Sequence, residues 1–103
     1  MSLRVVILAS AEADVTDAAI WHQGQRSGLG EEFIAEVEAV IQSAAANPRQ
    51  CPLFRRTPEV RRALTKRFPY RVFFIVRSDA VIVFRVLHGA RHDREWKAGI
   101  PEI

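Results

Sequence analysis

Cys51 is the chain's lone cysteine, so no internal disulfide can brace it. Burial and hydrogen bonding must hold the fold, and the thiol count suits a reducing cytoplasm. Long apolar runs are missing as well. Val5 to Ala9 and Val72 to Val76 are short segments, far below the ~20 residues of a membrane-spanning helix. Met1-Ser2-Leu3-Arg4 leads straight into a strand-like run without the charged, apolar and cleavage regions of a leader, so no signal peptide is expected. Glycine-rich phosphate cradles are absent too. Gly28-Leu29-Gly30 lacks the following Lys-Ser/Thr of a nucleotide loop and reads as a turn. His88 and His92 are four apart, a metal-ligand spacing only on a helix, and Gly89 argues against a helix there. Neither a metal nor a cofactor is expected.

What the chain does have is arginine. Thirteen of its fifteen basic residues are Arg, the side chain whose planar fork matches phosphate or carboxylate. The charge is also segregated. Residues 1–48 hold Arg4 and Arg26 against Glu12, Asp14, Asp17, Glu31, Glu32, Glu36 and Glu38, a balance of −5. Residues 49–103 hold thirteen cations against Glu59, Asp79, Asp93, Glu95 and Glu102, a balance of +8. An acidic half is therefore joined to a basic one, and the basic half is suited to an anionic partner. At 103 residues the chain is expected to form one domain, spanning 1–103.

Patterning divides the chain in the same place. Leu3 to Ala9 is apolar and β-branched, a buried strand. Ser10 is a candidate N-cap, and Ala11, Val15, Ala18, Ala19 and His22 then share one face of a helix over about 11–26. After Ser27-Gly28-Leu29-Gly30, Glu31 and Glu32 open a second helix with an apolar stripe of Phe33, Val37, Val40, Ile41 and Ala44. Asn47, suited to a left-handed cap, and Pro48 end it. Arg61 to Phe68 reads as a strand, followed by Val72 to Val76 and Val81 to Leu87 as central strands joined in a hairpin at Ser78-Asp79-Ala80. The expected fold is α+β, in the order β-α-α-β-β-β. An N-terminal helical hairpin packs on a small, mostly antiparallel sheet, and the sheet's second face is left to the C-terminal segment or a partner.

In an antiparallel hairpin the start of one strand lies beside the end of the next. Arg71 and the segment His88 to His92, with Arg91, are therefore expected on one rim, with Arg67 or Lys66 joining from the preceding strand. Such a rim binds phosphate, or with a proton donor stabilises the transition state of metal-free RNA cleavage. Arg85 is expected to pair with a carboxylate of the helical half, and Glu31, Glu32, Glu36 and Glu38 to form a solvated face. Trp21 and Trp96 are expected in packing contacts, and Cys51 is expected to be inert. Neither acidic helix has the pattern of a DNA-recognition helix.

Several strings in order resemble the RelE/ParE toxin superfamily of bacterial toxin–antitoxin, or plasmid-stabilisation, modules. They are Ala13-Asp14-Val15 with Ala18, Trp21-His22, Gly28-Leu29-Gly30 with Phe33, and Asn47-Pro48. Arg62-Ala63-Leu64, Phe68-Pro69-Tyr70-Arg71, Val86-Leu87-His88-Gly89-Ala90-Arg91 and Trp96 complete the set.

The resemblance implies one of two activities: ribosome-dependent mRNA cleavage in the RelE branch, or poisoning of DNA gyrase without nuclease activity in the ParE branch. Under the first, it implies catalytic roles for Arg71 and Arg91, with His88 or His92 replacing a C-terminal tyrosine that this chain lacks. Its only tyrosine is Tyr70. Under either branch, Arg62, Lys66, Arg67 and His92 are expected to contact the target or its phosphates. The paired lysines of the RelE branch are also missing, since Leu64 stands beside Arg62. The Phe-Pro-Tyr-Arg and Leu-His-Gly-x-Arg strings look more like the ParE branch. Either activity implies a cognate antitoxin that lays an extended segment and a helix across the toxin in a hetero-oligomer. An inactive toxin-like binding module is the third reading.

Overall fold

The computed structural model describes residues 2–89 and residue 100. Arg91, His92 and Trp96 lie outside the described residues. The elements are β1 (Arg4–Ile7), α1 (Ala9–Gln25), α2 (Leu29–Ala46), a 3-10 turn (Pro48–Gln50), β2 (Leu53–Arg55), β3 (Val60–Leu64), β4 (Tyr70–Arg77) and β5 (Ala80–His88). The sheet runs β1-β5-β4-β3-β2. β1 lies parallel to β5 and the other neighbours are antiparallel. This is the expected α+β arrangement with an N-terminal helical hairpin, and it contains one strand more than the pattern predicts. β2 is only three residues long, and its exposed Leu53 gives no apolar alternation to read.

Both helices cover one face of the sheet. The stripe of α2 is buried at Phe33, Val37, Ile41 and Ala44, and that of α1 at Ala11, Ala19 and His22. They pack with Val72, Phe74, Val81, Val83 and Val86. Burying one such Phe or Val side chain contributes about 1.5–3 kcal/mol. On the opposite face Val60, Phe73, Ile75, Phe84 and Leu87 form a second buried cluster, joined by Phe54 and by Ile100 from the C-terminal segment. The two helices approach closely because Gly30 has no side chain. A Cβ there would lie 2.6 Å from the Ala19 carbonyl oxygen. Gly28 turns the chain between them at φ 88°, a region that glycine enters without steric cost.

Three local expectations are corrected. Ser10 does not cap α1, which begins one residue earlier at Ala9 after Leu8. Its hydroxyl instead donates to the Phe84 carbonyl at 2.7 Å and ties the helix to β5. Asn47 closes α2 through its backbone N–H to the Ser43 carbonyl, with φ −153° rather than a left-handed turn. The strand foreseen over Arg61 to Phe68 stops at Leu64, because Thr65 is drawn into the turn. The buried Thr65 hydroxyl donates to the Phe68 carbonyl and accepts the Tyr70 N–H.

Candidate functional site

The rim is assembled by the β4–β5 register. Tyr70 stands opposite His88 and Arg71 opposite Leu87, and the Gly89 N–H donates to the Pro69 carbonyl at 2.6 Å. The start of one strand therefore does lie beside the end of the next. Side chains on a strand alternate between faces, and this alternation splits the rim. Tyr70 belongs to the cluster beneath the helices, and His88 stands against it with ring centroids 5.2 Å apart at 85°. Leu87 belongs to the opposite cluster, and Arg71 shares that side. Arg71 and His88 are neighbours along the rim but leave it toward opposite faces of the sheet.

Arg71 has a different companion. Leu64 pairs with Arg71 and Arg62 with Phe73, which places Arg62 and Arg71 on one face as diagonal neighbours. The Arg62 guanidinium lies 4.9 Å from the centre of the Phe54 ring, a cation–π contact that holds it over the sheet. The Arg71 Nε sits 3.8 Å from the position a Cβ on Gly89 would take. Arg71 is half-buried, and among the described residues it makes no ion pair.

Among the described residues the other expected rim cations, Arg67 and Lys66, turn away. Arg67 bonds Glu32 at 2.8 Å and lies 3.9 Å from Glu36. Glu36 also accepts the backbone N–H groups of Arg67 and Phe68 at 2.9 and 3.2 Å. Hydrogen bonding to Arg67 lowers the Glu32 carboxyl below its ordinary value, and the same bond raises the Arg67 guanidinium. Glu32 and Glu36 are thus not merely a solvated helix face. They fasten the β3–β4 turn to α2. Lys66 is exposed beside a groove of about 460 Å³, where Glu36, Val40 and Ser43 of α2 face Cys51 and Leu64. Burial pushes the Cys51 thiol up, which disfavours the reactive thiolate.

Arg85 pairs with the helical half as expected. Its Nε and Nη2 donate to the two oxygens of Asp14 at 2.7 and 3.0 Å, and the Val86 N–H donates to the same carboxylate at 2.9 Å. Asp14 thereby takes the place of a neighbouring strand where β1 has ended, since β1 pairs only with Ala80 to Val83.

His22 lies under the rim, ringed by Trp21, Phe33, Phe68 and Tyr70 at centroid distances of 4.9 to 5.7 Å. Burial, and secondly the charge of His88, push its imidazole below the ordinary value of 6.5. Its Nε2 is buried without a hydrogen-bond partner among the described residues. Trp21 itself is 60% exposed and Ile20 67%, so Trp21 is not in the core, although its ring packs edge-on against His22 with centroids 5.0 Å apart. Its position off the stripe of Ala11, Val15, Ala18 and His22 was the signal. With Asp17, Tyr70 and His88 it lines a pocket of about 270 Å³ between α1 and β5. Among the described residues no three His, Cys, Asp or Glu side chains gather as metal ligands. No described helix is long and apolar enough to cross a membrane.

Residues 5–93 match the family described as the ParE toxin of the type II toxin–antitoxin system parDE. A search of curated protein sequences finds no match. Among solved structures, a chain of the chromosomal ParDE toxin–antitoxin system from P. aeruginosa superposes with a TM-score of 0.69 at 15% identity, over 82% of this chain and 94% of that one. That likeness establishes a shared fold, and the family match extends over most of the sequence. The chain belongs to the ParE toxin family and is the toxin component of a type II toxin–antitoxin system.

Proposed function

We propose that this toxin arrests growth by poisoning DNA gyrase and that a cognate antitoxin neutralises it. The observation that carries this reading is the divided rim. Arg62 and Arg71 share one face, while both described imidazoles, His22 and His88, lie on the helix side. Metal-free RNA cleavage needs a proton donor or acceptor within reach of the same phosphate that the arginines hold. A pair of guanidiniums on one face supports anion contact without that chemistry.

Ribosome-dependent mRNA cleavage is the second reading, favoured by the same Arg62–Arg71 pair as a phosphate clamp. Expression without antitoxin separates the two. The gyrase reading expects loss of supercoiling activity with mRNA intact, and Arg71→Ala should relieve the arrest while the variant stays folded. Cuts in mRNA on programmed ribosomes would overturn it. Growth without arrest would point to an inactive binding module.

The antitoxin is expected to be acidic where it meets the arginine face and apolar where it meets the groove beside α2. Its binding should weaken with salt to the extent that the charged face contributes. Pull-down at rising ionic strength measures that share.

A further inference from the structure

We infer a second anion site, at the end of β4 remote from the rim, that takes a phosphate group. A cavity of about 390 Å³ opens there, lined by Pro48, Arg49, Glu59, Arg61, Val76 and Arg77. Its three arginines come from three separate elements: the 3-10 turn, β3 and the last position of β4. Six residues of extended strand separate Arg71 from Arg77, about 20 Å, so this site is distinct from the rim and does not rest on the gyrase reading.

Arg61 is the fixed member. Its Nη1 donates to the Cys51 carbonyl at 2.8 Å and its Nη2 to Glu59 at 3.2 Å, which leaves the side chain 19% exposed. Among the described residues Glu59 is the one carboxylate lining the cavity, and Arg61 already engages it. Among the same residues neither Arg49 nor Arg77 makes an ion pair. The described lining therefore carries an excess of two positive charges, whose mutual repulsion a bound anion would relieve.

Shape selects the anion. A carboxylate presents two oxygens in one plane and meets a single guanidinium fork, as Asp14 meets Arg85 while also accepting the Val86 N–H. A phosphate directs its oxygens tetrahedrally and offers acceptors to guanidiniums from three separate elements. The group is either a free phosphate or a phosphodiester of a nucleic-acid strand, and the two share this chemistry.

The test follows the arginine Nε–H resonances of the full-length protein during titration with inorganic phosphate, with a short single-stranded DNA, and with a glutamate-rich peptide. Phosphate should move the Arg49, Arg61 and Arg77 signals together. Arg49→Ala and Arg77→Ala should each weaken binding about tenfold, the loss of one charge-assisted contact, and Arg71→Ala should leave these signals' response to phosphate unchanged. DNA binding more tightly than phosphate at this site assigns the group to a strand, and phosphate alone assigns a small anion. Signals unmoved by both, tighter binding of the glutamate peptide, or an unchanged affinity in the Arg49→Ala/Arg77→Ala double variant would overturn the site. The wild-type titration decides the matter even if a variant fails to fold.

Discussion

The sheet uses the same side chain in opposite ways at its seam with the helices and on its open face. At the seam, Arg85 is tied to Asp14 of α1, and Arg67 to Glu32 of α2 beside the Glu36 that holds the β3–β4 turn. On the open face, Arg62 lies over Phe54 and Arg71 makes no ion pair among the described residues. Arginine at the seam joins the acidic half to the basic half. Arginine on the open face is left to meet something else. The segregation of charge along the sequence thus has two products, an internal seam and an external face.

Substitutions can break this contrast. The largest expected effect is in the core both helices share: Phe33→Ala should lower unfolding free energy by about 3–5 kcal/mol in denaturant titration. Asp14→Ala comes next. It strands a largely buried guanidinium and the Val86 N–H, and should cost about 2–3 kcal/mol. Glu36→Ala removes the acceptor for two turn N–H groups and should cost about 1–2 kcal/mol. Arg71→Ala should lie within about 0.5 kcal/mol of the parent while abolishing growth arrest, which is the contrast in its sharpest form. If Arg71→Ala proved as destabilising as Asp14→Ala, the seam and the open face would not differ as described.

His22 adds a dependence on pH. Its folded value is depressed by burial and by His88, so the unfolded chain takes up the proton first as the pH falls. Its contribution to stability is complete above the unfolded value of 6.5 and is lost progressively below it. His22→Phe should flatten the denaturant midpoint over that acidic window. A slope that is the same in both proteins would show that His22 is not the group responsible.

Much of this was legible in the residues. The stripe from Phe33 to Ala44 reported α2, the turn at Ser78-Asp79 reported the hairpin, and an acidic first half facing a basic second half foreshadowed the Arg85 pairing. The division of the rim was not legible. β5 reads as a run apolar on both faces apart from Arg85, yet Val83 and Val86 face the helices while Phe84 and Leu87 face away. A register shift between Phe73 and Phe74 puts one extra residue into β5 and resets its alternation. No pattern in a run apolar on both sides marks where such a bulge falls. Glu36 was equally hidden, because its partners are backbone N–H groups that any residues at positions 67 and 68 would present.

The sequence by itself determined the two helices, the central hairpin, their order along the chain and the family, because helical periodicity, turn residues and ordered short strings are local properties. Tertiary structure alone decided which arginines are consumed within the fold and which remain on its surface. That outcome depends on strand register and on contacts between residues some 30 to 70 positions apart, such as Asp14 with Arg85 and Glu36 with Arg67. A one-residue shift in pairing exchanges the faces of a strand, and only the assembled sheet sets that shift.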